Sequence, residues 1–127
     1  MAEYTVGQLM EMRAVLDRHC QVEVPPAFAA QLRRVRRLVG EHVREFQEEI
    51  DRLVEQYGEK APGQGYTIRV NSPNFAEFEQ KVIEIRNVPL EVELKPELRL
   101  SQFPTISGNE VGILDPLLID DTQESAT

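Results

Sequence analysis

The sequence predicts an α+β domain that is mainly helical. A one-sided apolar stripe recurs at helical spacing through the middle of the chain, a second and shorter stripe follows it, and the period-two alternation typical of strands is confined to short segments. We therefore expect a long helix over residues 26–57 in an antiparallel hairpin with a helix over residues 73–87. An N-terminal helix, short strands and an extended C-terminal arm are expected beside this hairpin.

The N-terminal helix is predicted to begin at a capping box. The Thr5 hydroxyl can accept a hydrogen bond from the backbone of Gln8, whose side chain can reach back to the backbone of Thr5. Apolar residues then recur at helical spacing to about Arg18. Residues 21–24 alternate and end at two prolines, which favour extended backbone before them, so this segment predicts a connector or a short strand.

The long helix carries the strongest pattern in the chain. Pro26 suits the first helical turn, and Gly58 suits the left-handed position at which many helices end. Gly40 lies mid-helix, where glycine costs about 0.5–1 kcal/mol relative to alanine and leaves room for a close crossing. The apolar stripe is narrow, as in a helical hairpin or a coiled coil. The apolar seam of the two helices is predicted to comprise Phe28, Leu32, Val35, Val39, Val43, Phe46, Ile50, Leu53, Tyr57, Phe75, Phe78, Val82 and Ile85.

The remaining elements are shorter. Residues 59–65 predict a turn and residues 66–70 a strand, after which Ser72 and Pro73 are typical of a helix N-terminus. Alternation over residues 88–94 predicts a strand with one buried face.

Beyond that strand, prolines interrupt the apolar rhythm of residues 98–106, which we interpret as an extended arm folded back on the helices. Residues 107–110 predict a turn. Asp115 and Pro116 can cap a short helical turn.

Length and composition favour one domain. The chain has 127 residues, which suits a single core over residues 1–119, and the acidic residues 120–127 carry too little apolar area to offset their conformational entropy and are predicted to be disordered. A net charge of −8 disfavours nonspecific binding to nucleic acid or anionic lipid. No apolar run approaches the roughly 20 residues of a membrane span. With one cysteine and no secretory signal pattern, the sequence favours an intracellular, reducing compartment.

The search for reactive chemistry predicts no enzyme. His19 and Cys20 are neighbours, but adjacent side chains point apart on a helix or a strand. The chain has no second cysteine for a zinc site and none of the common phosphate-binding, metalloprotease or nucleophile-elbow motifs. The Gly63-Gln64-Gly65 triplet follows a proline in a predicted turn, so a flexible loop explains it. We expect no catalytic residue, no metal and no cofactor.

Charge is the sharper signal. Residues 1–40 carry six basic and four acidic side chains, whereas residues 41–127 carry eight basic and eighteen acidic ones. Four arginines cluster on the side of the long helix away from the seam, where their guanidinium groups can bind carboxylate or phosphate. The predicted partner-binding residues are Arg33, Arg34, Arg36 and Arg37. The plainer interpretation is that Arg37 pairs with Glu41 and that the cluster only keeps the helix hydrated.

Several short motifs resemble those of small proteins encoded by tailed bacteriophages and prophages. The long helix closes on Gln56-Tyr57-Gly58-Glu59, a Phe-rich second helix leads to Val92-Glu93-Leu94, and the chain ends near the apolar Leu-Asp-Pro-Leu-Leu-Ile-Asp segment. The likeness covers about residues 5–120. More arginine and a paired proline set this chain apart from that group. The resemblance implies a phage gene product in the host cytoplasm or the virion, and it assigns no catalytic or binding residue.

Two classes of function follow. The first is a noncatalytic protein that binds other proteins, either a virion or assembly accessory or a protein that binds a host factor. Self-association into a homo-oligomer is expected, because the narrow apolar seam on a long helix needs to be covered. The alternative is a regulatory or sequestering binder of nucleic acid or a small anionic ligand through the cluster over residues 33–37. The low aromatic content disfavours nucleic acid, since few rings are present for bases to stack on.

Overall fold

The computed structural model describes residues 2–60, 63, 65–68 and 71–121. It is an α+β structure, mainly helical, as predicted. Its helices are α1 (Val6–Cys20), α2 (Pro26–Tyr57), α3 (Phe75–Arg86) and α4 (Gly108–Leu114). Its strands are β1 (Ala2–Thr5), β2 (Glu59–Lys60), β3 (Tyr66–Thr67), β4 (Pro89–Val92), β5 (Leu98–Arg99) and β6 (Leu118–Ile119).

The predicted start of α1 is confirmed. Thr5 Oγ1 accepts a hydrogen bond from Gln8 N at 3.1 Å, and Gln8 Oε1 accepts one from Thr5 N at 2.8 Å, which completes the capping box. Residues 21–24 form a connector without a strand. The strand β1 before the helix was not predicted.

Helix α2 has the predicted bounds, with Pro26 in its first turn. Its predicted end is right in position and wrong in conformation. Gly58 has φ of −92° and ψ of 175°, so the chain leaves the helix in extended rather than left-handed backbone. The Gly58 N–H still donates to Val54 O at 2.7 Å, which satisfies one of the last helical carbonyls.

The main packing partner of α2 is α1, whereas the predicted hairpin with α3 involves only the C-terminal end of α2. Helices α1 and α2 run antiparallel, because Arg13 lies over Gly40 while Asp17, one turn further along α1, pairs with Arg36, one turn back along α2. The two helices and the C-terminal arm bury one apolar core. Its buried members are Val6, Leu9, Met12, Leu16, Phe28, Leu32, Val35, Val39, Val43, Val92, Leu98, Phe103, Leu114 and Leu117.

Helix α3 packs on the C-terminal end of α2. It begins at Phe75, two residues later than predicted, with Asn74 as its N-cap and without a side-chain capping hydrogen bond. The rings of Tyr57 and Phe78 lie 6.4 Å apart, and Arg86 at the other end of α3 lies against Gly7 of α1. Helices α2 and α3 are therefore antiparallel, as predicted.

The predicted seam is buried unevenly. Its members Phe28, Leu32, Val35, Val39, Val43 and Leu53 are buried. Its members Phe46, Ile50, Tyr57, Phe75, Phe78, Val82 and Ile85 are only half-buried. The elements of this same chain cover the first part of the seam completely, so burial of that part requires no second copy.

The strands form three two-stranded sheets among the described residues. Strands β1 and β4 pair antiparallel with Tyr4 opposite Leu90, β2 pairs antiparallel with β3, and β5 pairs parallel with β6. The strand predicted over residues 88–94 is thus β4, and its partner is the N-terminus of the chain. Of the strand predicted over residues 66–70, residues 69 and 70 lie outside the described residues.

The C-terminal arm folds back on the helices and adds Leu98, Phe103 and Leu114 to the core. The turn predicted at residues 107–110 is wrong, because this segment begins helix α4. Ser107 is its N-cap, and a second capping box joins it to Glu110. The short helical turn predicted at Asp115 and Pro116 is confirmed as a 3₁₀ turn. Of the predicted disordered tail, residues 122–127 lie outside the described residues.

Candidate functional site

Helix α2 divides the four predicted partner-binding arginines between two faces. Arg34 turns toward the C-terminal arm, where its Nη1 donates to Glu97 Oε2 at 3.1 Å. Arg33, Arg36 and Arg37 lie together on another side, next to α1. The sequence cluster is therefore not one site, and Arg34 does not belong with the other three.

Two further arginines join these three around one depression. Arg44 lies on the same side of α2, and Arg13 reaches across from α1. We call Arg13, Arg33, Arg36, Arg37 and Arg44 the arginine surface. Together with Gly40 and Glu41 they line an open depression of about 380 Å³.

The side chain of Arg13 packs against α2 at Gly40. The Arg13 side chain lies directly over Gly40, so that an ideal Cβ on this glycine would be 3.5 Å from Arg13 Nε. Antiparallel packing of α1 on α2 brings these two residues to the same level. The guanidinium group of Arg13 consequently stands beside arginines that are far from it in the sequence.

The arginine surface is poorly neutralised. Within the described part of the chain, its one ion pair joins Arg36 Nη1 to Asp17 Oδ1 at 3.2 Å. The plainer interpretation of the cluster predicts an ion pair between Arg37 and Glu41. Among the described residues this ion pair is not formed. Five guanidinium groups thus share a small open volume whose lining contains one carboxylate, that of Glu41, and they produce a local positive potential on a chain whose net charge is −8.

The sequence analysis missed Arg13 and Arg44 for different reasons. Arg44 is seven residues after Arg37, which is two helical turns and hence the same face, so the helical spacing could have found it. Nothing in the sequence links Arg13 to this face. It is found only once the level at which α1 crosses α2 is known.

A second polar cluster lies inside the fold, at the end of α1. Glu110 Oε2 accepts from Arg18 Nε at 2.7 Å and also from Arg18 Nη2. Its other oxygen accepts from Ser107 N at 3.1 Å. His19 is buried, with its Nε2 3.1 Å from Arg18 Nη2 and its ring edge-on to Phe103 at 5.0 Å.

The titration of this cluster follows from these contacts. The hydrogen bond from Arg18 lowers the pKa of Glu110 to about 2, so the carboxylate stays ionised. Burial lowers the pKa of His19 below its usual range, which keeps the ring neutral and lets Nε2 accept the hydrogen bond from Arg18. The cluster therefore ties α1 to α4, and every group in it is engaged in that structural role.

The described residues contain no group of three histidine, cysteine or carboxylate side chains placed to hold a metal ion. None of the helices in the described ranges combines the length and the apolar character needed to cross a bilayer. A depression of about 420 Å³ lies between α1 and α4 and has a mixed polar and apolar lining.

Comparison of the chain with protein-family models, with curated proteins and with solved structures finds no match in any of the three.

Proposed function

We propose that this chain is a noncatalytic protein-binding protein whose arginine surface docks an acidic segment of a partner protein. One observation carries the proposal: arginines from two helices converge on one open depression, and most of them have no carboxylate partner among the described residues. Structural arginines are usually paired, as Arg18 and Arg34 are here. A set left unpaired on an exposed surface is typical of a site that receives its carboxylates from elsewhere.

The chemistry of the lining favours carboxylates over nucleic acid. No aromatic side chain lines the depression, so bases would have nothing to stack on. Glu41 lies within the depression and Asp17 beside it, so the site does not present the uniformly positive groove that follows a phosphate backbone. The net charge of −8 disfavours a long polyanion such as nucleic acid. The carboxylates of a short acidic segment can pair with individual arginines and need no aromatic platform.

The alternative function, a regulatory or sequestering binder of nucleic acid or a small anion, is favoured by one observation. The depression of about 380 Å³ falls within the size range of small-molecule sites. A compact anion with several negative charges would fit it without needing an aromatic platform.

The setting we propose for this activity is a tailed phage or prophage, with the protein in the host cytoplasm or in the virion. The support is the motif set given above, Gln56-Tyr57-Gly58-Glu59 and Val92-Glu93-Leu94 among them. Mass spectrometry of purified virions tests the packaged form directly. Peptides of this chain in stoichiometric amount would place it in the particle, and their absence would leave the host cytoplasm.

The binding proposal is tested by fluorescence anisotropy with a labelled polyglutamate peptide. We expect binding that Arg37→Glu weakens about tenfold, equivalent to about 1.4 kcal/mol. Arg34→Glu is the matched control, because it makes the same change in charge three residues away on another face. It should weaken binding less than about twofold, since only the screened long-range field changes.

The same titration with a labelled oligonucleotide and with inorganic polyphosphate decides between the two functions. Tighter binding of either probe than of polyglutamate at physiological salt, lost in Arg37→Glu, would replace the proposal with the alternative. Equal effects of Arg34→Glu and Arg37→Glu on every probe would mean that the arginine surface is not a site.

A further inference from the structure

The outward face of α2 carries a charge pattern that changes sign along the helix. Its exposed members are Arg33, Arg37 and Arg44, followed by Glu48, Asp51 and Glu55. At about 100° per residue these six side chains fall within a sector about 60° wide. We call this line of residues the charged strip.

The strip stands clear of the core. The buried residues Val39 and Val43 lie on the far side of α2, and all six members of the strip are exposed. Among the residues that the structure describes, the acidic half forms no ion pair, and its one side-chain hydrogen bond is the one that Asp51 Oδ1 accepts from Gln47 Nε2 at 3.2 Å.

The charges are placed symmetrically about residue 44. Arg33 and Glu55 are each eleven residues from Arg44, and Arg37 and Asp51 are each seven residues from it. These separations are about 16 Å and about 10 Å along the axis. Reversing the direction of the helix about this midpoint places Glu55 opposite Arg33 and Asp51 opposite Arg37, while Arg44 lies opposite its own counterpart.

We propose that the partner of the arginine surface is a second copy of this chain, bound through an antiparallel, two-fold symmetric contact of the two charged strips. The inference rests on the proposed function and names its partner. In this arrangement Arg33 of each copy meets Glu55 of the other, and Arg37 meets Asp51. Parallel strips would oppose like charges.

Gly40 and Glu48 complete the same register, because each lies four residues from Arg44. Arg13 covers Gly40, so Glu48 of the second copy meets the guanidinium group of Arg13. Each copy thus offers three arginines and receives three carboxylates. A two-fold contact uses the same surface on both copies and closes on itself, so assembly stops at the dimer.

Exposed ion pairs are individually weak and are screened by salt. We expect a dimer that is populated at roughly 100 µM protein in low salt and whose dissociation constant rises at least about tenfold when NaCl is raised from about 50 mM to about 500 mM. Sedimentation equilibrium of the full chain measures both quantities.

Charge exchange tests the register. Arg33→Glu with Arg37→Glu, and separately Asp51→Arg with Glu55→Arg, should each be monomeric at concentrations where the wild type is a dimer, because like charges then face each other. An equimolar mixture of the two variants should form a heterodimer, since each reversed half meets its complement. The chain with all four substitutions has the wild-type net charge and should dimerise again.

Glu79→Arg with Glu84→Arg is the matched control. It makes the same change in net charge as the Asp51 and Glu55 pair, at exposed positions of α3. This control should remain dimeric, and far-UV circular dichroism should show every variant folded.

Three results would overturn the inference: a monomeric wild type at all salt concentrations, oligomers that grow beyond the dimer, or variants that fail to pair when mixed. Its failure is distinguishable from failure of the proposed function. A monomeric chain that still binds polyglutamate through Arg37 has an acidic partner other than itself. A monomeric chain that binds neither polyglutamate nor itself refutes both.

Discussion

At the scale of single residues, some charged groups are paired inside the fold and others are exposed without an ion pair among the described residues. Inside the fold, Glu110 holds Arg18 and the N-cap of α4 at once, and His19 is buried neutral beside them. On α2, by contrast, Arg33 and Arg37 are exposed and have no ion pair within the described residues. The first arrangement stabilises the fold, and the second leaves guanidinium groups without an ion pair at the described surface.

The buried cluster makes stability depend on pH. Because the folded pKa of His19 is lowered, the unfolded chain binds the proton more readily, and the contribution of His19 to the free energy of unfolding is complete above pH 6.5 and falls below it. The pKa of Glu110 is lowered from 4.5 to about 2, so its contribution is complete above pH 4.5 and is lost as the pH approaches 2.

Urea denaturation at a series of pH values checks this dependence. Stability should decline in two stages on acidification, and Glu110→Gln should lower it by about 1–3 kcal/mol at pH 7 while flattening the stage below pH 4.5. The amide keeps one acceptor oxygen and turns an NH2 donor toward either Ser107 N or Arg18, so the substitution removes the charge together with part of the hydrogen bonding. A Glu110→Gln curve parallel to the wild type below pH 4.5 would contradict the assignment.

Two helical glycines give a matched pair of substitutions. An ideal Cβ on Gly40 meets Arg13 at an ordinary distance of 3.5 Å, whereas one on Gly7 stands 3.2 Å from the Cβ and the carbonyl oxygen of Arg86. Gly40→Ala should raise the free energy of unfolding by about 0.5–1 kcal/mol. Gly7→Ala should give no gain, because the crowding between α1 and α3 offsets the same helix propensity. A gain at Gly7 equal to that at Gly40 would show that α3 does not lie close against α1.

At the scale of elements, α2 organises the molecule because its apolar face is covered by different partners along its length. The seam residues from Phe28 to Val43 are buried by α1 and the C-terminal arm, whereas the later seam residues, apart from Leu53, are half-buried against α3. The seam should therefore be most sensitive to substitution between Phe28 and Val43 and less sensitive at its half-buried positions.

A pair of leucines on α2 tests at constant chemistry whether the first part of the seam is buried. Leu32 is fully buried and Leu38 is 45% exposed. Leu32→Ala should lower the free energy of unfolding by about 2–5 kcal/mol, and Leu38→Ala by less than about 1 kcal/mol. Thermal or urea unfolding measures both, and similar losses would contradict the burial of the seam.

The sequence predicted those elements whose signals are local. The capping box at Thr5 and the bounds of α2 depend on residues within one helix, and both are confirmed. The same S/T-x-x-E pattern at Ser107 was interpreted as a turn, although it carries the signal that caps α4. The pairing of β1 with β4 joins residues about 90 positions apart and leaves no local trace.

The candidate site was predictable only in part, for the same reason. Arg33, Arg36 and Arg37 were found because one helix presents them together, and Arg44 shares their face. Arg34 is not part of the arginine surface because it pairs with Glu97, and Arg13 is part of it because α1 crosses α2 at Gly40. Both facts depend on contacts between elements that are distant in the chain.

At the scale of the whole molecule, the basic and acidic residues that are unevenly distributed in the sequence also lie in different regions of the surface. The positive residues gather where α1 crosses α2, and the acidic ones follow along the same face of α2. Under the binding that we propose, such an arrangement would steer a complementary partner into one orientation and make the association sensitive to salt. The charged surface is then the proposed binding site, while the apolar seam maintains the fold.

Amide NMR of the ¹⁵N-labelled chain, titrated with polyglutamate at a dilution where it is monomeric, tests the claim that the arginine surface is the binding site. We expect the largest shifts on residues 33–44 of α2 and around Arg13, and we expect these shifts to vanish in high salt. Shifts concentrated in the depression between α1 and α4, or no saturable shifts at all, would contradict it.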